Sequence, residues 1–234
     1  DREIREIQQS LKEESGSLGE LFQPGIRKAL LIAIVMMIVV QFSGVDTMQI
    51  YAPVIFQEAG IASASDAIAR SIFIVGFNLF CTIFAFWVIG HLGRRPLLLT
   101  GLAVIALCQI LMGVAFHLGL PAVSILLIMI AGIGSYASTL APLSWVLTSE
   151  FFPTRIRARA MSLACFILWG CSFTTKQIFP PLREWVVKTF GSPAGVFWGF
   201  AIICILGLIF FWKMIPETRD KTLEEIGKSW NIEA

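Results

Sequence analysis

Six long apolar runs, separated by short blocks that hold nearly all of the charge, limit what this chain can fold into more than any other feature. A helix that crosses a bilayer needs about 20 mostly apolar residues, and in lipid each crossing must satisfy its own backbone hydrogen bonds. The pattern predicts spans near residues 28–56, 71–89, 97–116, 121–147, 160–178 and 196–215. The fold class expected is therefore an all-α membrane protein, a six-transmembrane-helix bundle over residues 28–215. A cytoplasmic amphipathic linker at 1–27 precedes it, and a cytoplasmic tail with a short helix at 216–234 follows. With 56% hydrophobic and only 15% charged residues, the composition excludes an ordinary soluble domain.

The basic residues are divided unequally between the two sides of such a bundle. One side carries fourteen, in the first 28 residues, in the loops with Arg94 and Arg95 and with Arg155, Arg157 and Arg159, and in the tail; the other carries Arg70, Arg183 and Lys188. An excess of this size places both termini in the cytoplasm. The basic residues lie at helix ends without interleaved aromatics, which argues against nucleic acid as a partner. All five cysteines fall within apolar runs and read as small hydrophobes, not as a disulfide framework or a metal site. His91 and His117 stand apart from any nucleophile or paired intramembrane acids, so neither an enzyme nor a cofactor is expected. The first 25 residues are polar and amphipathic, unlike a cleavable signal peptide.

Three polar stretches interrupt this plan. Within the first span, VVQFSGVDTMQIYAPVIF (39–56) carries Gln41, Asp46, Gln49 and Tyr51 into the bilayer. Such groups are costly in lipid and face a bundle interior or an aqueous cavity. On a continuous helix, Gln49 falls about 80° and Asp46 about 140° from Gln41, so the three share one side. Between spans, GHLGRRPLLL (90–99) combines turn glycines with two arginines at the headgroups. APLSWVLTSEFFPTRIRARA (141–160) ends one helix at Glu150, breaks at Pro153 and adds three arginines. An acid beside several guanidiniums predicts ion pairs that tie helices together on the cytoplasmic face. After the last span, Pro216 stops the helix, and Thr222 to Glu225 forms a capping box for a short one. Gly132, Gly134 and Ser135 are small enough to let the fourth span approach a neighbour closely.

QFSGVDTMQIYAP, GRR, APLSWVLTSEFFPTRIRARA and PETRDKTLEEI, in this order and at these separations, resemble the carboxy-terminal half of a sugar porter of the major facilitator superfamily. The resemblance runs from about Leu21 to Trp230. It implies spans seven to twelve of a twelve-helix fold, with the amino-terminal half of the transporter as the partner that supplies the other wall of the cavity. The implied activity is alternating-access transport of a small-molecule monosaccharide or related polyol, possibly proton-coupled, with the lipid bilayer of the plasma membrane as its setting. A sugar sensor that keeps the fold without transporting is the alternative.

Position by position, the resemblance makes Gln41, Asp46, Asn78, Trp145 and Trp169 the substrate-binding residues. Planar amides and carboxylates suit neighbouring hydroxyls, and tryptophan faces suit the C–H side of a sugar ring. It also assigns a cytoplasmic charge network to Arg94, Arg95, Glu150, Arg157 and Glu217. The sequence departs from the family pattern at Val40, at Asp46 in place of an asparagine, at Ala141-Pro142, and at Leu168 and Ser172. Asp46 and Lys176 are charges within spans. Three expectations follow for them: they pair with each other, Asp46 couples transport to protons, or Lys176 selects an anionic sugar acid.

Overall fold

The computed structural model describes residues 18–23, 26–60 and 63–215. After a 3-10 turn, Leu18–Phe22, the chain forms α1 (Ile26–Phe42), α2 (Val45–Ile50), α3 (Ala52–Glu58), α4 (Ala64–His91), α5 (Arg94–His117), α6 (Ala122–Ser138), α7 (Leu140–Glu150), α8 (Thr154–Phe190) and α9 (Ala194–Met214). No strand occurs among the described residues. Six helical segments are long and apolar enough to cross a membrane, and the protein is an integral, multi-pass membrane protein.

Two of the six spans are interrupted, and proline chemistry accounts for both. Pro142 has no N–H to offer the Ser138 carbonyl, and its ring crowds that carbonyl; the fourth span breaks at Thr139, where φ is −131° and ψ −79°. Pro53 stands in the same relation to Gln49, and α2 gives way to α3 at Tyr51. An earlier break, at Ser43-Gly44, uses a left-handed glycine: Gly44 has φ +79°, and a Cβ there would run into the Phe200 ring. The first span is thus three helices, not the single helix on which the common side of Gln41, Asp46 and Gln49 was reckoned, and those angles do not carry across Gly44.

The fifth span corrects the sequence boundaries in the other direction. Residues 160–178 were expected, yet α8 runs from Thr154 to Phe190 through Pro180 and Pro181. The helix continues because the carbonyl that Pro180 leaves without an intrahelical donor, that of Lys176, accepts a hydrogen bond from Tyr51 Oη at 3.0 Å. The second span likewise starts earlier than residue 71, with Ser63 capping the Asp66 N–H.

The first span lies at the centre, with α1 against α8 and α9, while α5 packs between α9 and α6, and α4 lies against α6 and α3. Of the most apolar window of each span, 67% is buried for the first but only 22% for α4 and 28% for α8, so α4 and α8 present wide apolar faces outward. Close approach rests on small residues. Gly132 lies opposite Cys108 of α5, Gly134 opposite Phe77 of α4, and the Ser135 hydroxyl donates to the Gly101 carbonyl at 3.1 Å. Gly207 accommodates Val39, and Gly113 the Trp198 indole.

Contacts at one end join the Leu18–Phe22 turn, the α4–α5 loop, the α7–α8 loop and the end of α9. At the other, the residues after α3, the α5–α6 loop and the α8–α9 loop surround a cavity of about 410 Å³. A Cβ on Gly101 would collide with the Thr139 side chain at the break in the fourth span, whereas one on Gly90 meets open space. Gly101→Leu is therefore expected to cost about 2 kcal/mol in detergent unfolding, while Gly90→Ala stays within about 0.5 kcal/mol of the parent.

Candidate functional site

Gln41 sits next to the last residue of α1 and is 7% exposed. The helix then ends in a compact turn. The Ser43 N–H donates to the Val39 carbonyl, the Ser43 hydroxyl to Val40, and the Gly44 N–H to Gln41. The Ser43 carbonyl lies beyond this set and takes its hydrogen bond from another span, from Gln109 Nε2 of α5 at 2.6 Å. Gln109 is 1% exposed.

The turn aims Asp46, in the first turn of α2, at α8. Its Oδ2 lies 2.8 Å from Lys176 Nζ, which also donates to Ser172 Oγ at 2.6 Å, one helical turn away. Both side chains of the ion pair are between a quarter and a third exposed, so the pair borders accessible space instead of being sealed in the core. Tyr51 reinforces the junction, donating to the Lys176 carbonyl and stacking on Phe179 with ring centroids 4.9 Å apart. Farther out, Glu58 at the end of α3 pairs with Arg183 of α8. Lys176, Phe179 and Arg183 recur at helical spacing, so one face of α8 makes all three of these contacts with the broken outer part of the first span.

Trp145 of α7 and Trp169 of α8 come together in a second place. They line an open groove of about 660 Å³ with Met161, Ser162, Cys165, Phe166 and Gly170. The tryptophans are 36% and 64% exposed, an arrangement that leaves indole faces available to a solute or to an opposing protein wall. Gln41, Asp46 and Asn78 are not among the groove's lining residues. Asn78 is half-buried on α4, where its carbonyl accepts from Thr82. The structure therefore joins two of the expected site residues in one groove, places a third in an ion pair, and leaves Gln41 and Asn78 on separate helices.

At the opposite end, the expected charge cluster takes a mixed form. Arg94 Nε lies 3.5 Å from Glu150 Oε1. Arg95 reaches the Trp212 carbonyl in the last turn of α9 at 2.8 Å, and Arg157 Nε donates to the Phe152 carbonyl at 3.3 Å. The purely ionic network is thus corrected for Arg95 and Arg157, whose guanidiniums meet carbonyls at chain breaks and helix ends where no backbone donor is available. Glu217 lies outside the described residues, as do Pro216 and the capping box at Thr222. Arg155 pairs with Glu20 at 3.0 Å, a link that the sequence did not suggest. Among the described residues no group of His, Cys, Asp and Glu is arranged to hold a metal ion.

Sequence reasoning passed over Gln109, Glu58 and Arg183. Gln109 could have been noticed as the one amide within the third apolar run; the Glu58–Arg183 contact had no local signal, because its partners are 125 residues apart.

Residues 1–230 match the family model described as sugar (and other) transporter. The arabinose-proton symporter of Bacillus subtilis (strain 168) is 36% identical over 230 residues, covering 97% of this chain and 48% of that protein. The D-xylose-proton symporter of Escherichia coli (strain K12) is 31% identical over 232 residues, covering 98% and 47%. Among solved structures, the proton:xylose symporter of the major facilitator superfamily bound to 6-bromo-6-deoxy-D-glucose superposes with a TM-score of 0.80 at 30% identity, over 98% of this chain and 48% of that one. The inward-open xylose transporter from E. coli gives 0.78 at 28% identity, over 98% and 46%. The chain spans about half the length of the curated relatives it matches.

Because Asp46 and Lys176 are paired at 2.8 Å, Lys176→Met should destabilise the fold more than the double change Asp46→Asn with Lys176→Met. The coupling expected from a double-mutant cycle in thermal unfolding is about 1 kcal/mol. Tyr51→Phe, which strips the donor from the Lys176 carbonyl, should cost about 1 kcal/mol in the same assay.

Proposed function

Because this chain belongs to the sugar (and other) transporter family, with the major facilitator fold, we propose that it forms the carboxy-terminal half of a carrier for a monosaccharide or related polyol. The carrier works by alternating access, is coupled to protons, and lies in the plasma membrane with both termini cytoplasmic. The family is one of transporters and not of enzymes, so the site has to bind, orient and release a solute without making or breaking bonds. The observation that carries the reading is the open groove with Trp145 and Trp169 on one wall. Two partly exposed indoles on an otherwise apolar bundle face suit the C–H face of a sugar ring, and a groove open along one side needs the amino-terminal half to close it.

In this reading Gln41 and Asn78 supply amides to ring hydroxyls, and Asp46 accepts from a further hydroxyl at the break in the first span, as interrupted transporter helices do at their binding sites. The Asp46–Lys176 pair bears on the choice among solutes. With the ammonium already neutralised at 2.8 Å, Lys176 brings no net charge to attract a sugar acid, which favours a neutral solute. Opening of the pair, with a proton replacing Lys176 as the partner of Asp46, is the step by which coupling would act. The charge contacts at the cytoplasmic end, Arg94 to Glu150 and Arg155 to Glu20, belong in this scheme to the outward-facing state and part when the cytoplasmic side opens.

The test is uptake by the full-length carrier of labelled neutral hexoses, pentoses, polyols and sugar acids, with and without an imposed proton gradient. Gradient-dependent accumulation of one neutral class is expected, with Trp169→Ala raising KM about tenfold and Lys176→Met leaving the acid-to-neutral ratio unchanged. Full accumulation by Asp46→Asn would remove Asp46 from proton coupling, and saturable binding with no flux of any solute would replace the carrier by a sensor.

A further inference from the structure

Gln109 is the only amide side chain on α5 and one of the most deeply buried polar groups in the bundle. Its two ends are treated unequally. Nε2 donates to the Ser43 carbonyl at 2.6 Å, while Oε1 is buried with no hydrogen-bond partner. An unmatched buried acceptor is destabilising, and a leucine would fill similar space without it. The compensating contact is the one at Nε2, and it falls on a carbonyl that the break at Ser43-Gly44 leaves outside the helical ladder.

The geometry around that carbonyl is specific to a broken helix. In an unbroken first span the Ser43 carbonyl would accept from the Thr47 N–H and would have no use for Gln109. Here α2 begins after Gly44, whose own carbonyl accepts from Met48 at 2.8 Å, and Ser43 is left outside the ladder. Gly44 holds φ +79° with the Phe200 ring of α9 against the position a Cβ would take. Cys204, one turn along α9, brings its thiol within 3.9 Å of the same Ser43 carbonyl. α5 and α9 thus grip the break from two sides, the first by a hydrogen bond and the second by shape.

We propose that Gln109 is a positioning residue for transport: it favours the broken over the straightened form of the first span and so sets where Asp46 and the outer helices α2 and α3 stand. The inference rests on the carrier reading above and deepens it. A side chain that bonds the carbonyl in one shape of the helix and loses the bond in the other biases the equilibrium between the two shapes. Gln109 acts through Ser43 and touches neither the groove tryptophans nor the Asp46–Lys176 pair.

The experiment uses Gln109→Met, which keeps the length of the side chain and removes the donor, in the full-length carrier. Its readout is the labelling rate, by a soluble maleimide, of a cysteine introduced at Val54 of α3, which is 39% exposed. A cysteine at Val123 of α6, which is 57% exposed and far from the break in sequence, reports global loosening. Labelling of the parent carrier gives the background from native cysteines. Loss of one net hydrogen bond at the break should raise the Val54→Cys rate about fivefold and leave Val123→Cys unchanged. Transport by Gln109→Met should show lowered turnover together with a raised KM, because Asp46 loses its set position while the groove tryptophans keep theirs. An unchanged Val54→Cys rate overturns the proposal. Equal acceleration at both positions also overturns it, since Gln109 would then merely support the core. Labelling needs no flux, so a carrier that moves no sugar would refute the proposed function while the labelling comparison still decides the role of Gln109.

Discussion

A backbone carbonyl inside a membrane has no water to turn to, and the rest of this structure depends on how that constraint is met where helices are broken. Unbroken helices satisfy every group within themselves. Here Gly44, Pro53, Pro142 and Pro180 each disturb the ladder. The carbonyl of Ser43 is met by Gln109 from α5 and that of Lys176 by Tyr51 from the end of α2. At the end of the bundle that carries the α4–α5 and α7–α8 loops, Arg157 meets the Phe152 carbonyl and Arg95 that of Trp212. Each of these repairs is made by a side chain from elsewhere in the chain or across a loop, so the breaks at Gly44 and Pro180 also become ties between segments. A freed carbonyl offers a strong, directional acceptor and constrains its partner more tightly than apolar contact does.

These ties distribute the bundle's connections unevenly. The outer part of the first span packs against α4 and α6 and is tied to one face of α8 by polar and aromatic contacts, Asp46 to Lys176, Tyr51 to Phe179 and Glu58 to Arg183. Two ion pairs with a hydrogen bond and a ring stack between them form a seam whose charged members are partly accessible to water and whose aromatic member, Phe179, belongs to the core. The opposite end has its own contacts, Arg94 to Glu150 and Arg155 to Glu20.

Much of this was legible in the residues. Six apolar runs became six spans, the GRR and TRIRAR blocks lie with the carboxyl end of α9 at one end of the bundle, and the pairing of Asp46 with Lys176 followed from the difficulty of leaving either charge alone in lipid. The common side of Gln41, Gln49 and Asp46 failed because a wheel assumes one helix, and a glycine at positive φ ended it between Gln41 and Asp46. The fifth span, expected to end at residue 178, continues through Pro180 and Pro181, and the carbonyl that Pro180 frees, that of Lys176, is met by Tyr51, 125 residues from it in sequence. The ionic network was drawn too simply because charge alone does not reveal which carbonyls a loop leaves unpaired.

The sequence by itself determined what depends on local chemistry: the number of crossings from apolar length, and the sites of possible breaks from glycine and proline. Only the tertiary structure decided which breaks are bridged and by whom, since a proline states that a carbonyl is free but not which distant donor will reach it. The groove at Trp145 and Trp169, the seam on α8 and the hold of Gln109 on Ser43 all belong to that second kind. Each requires two spans to meet at one depth in the membrane, a distance that packing sets and residue order does not contain.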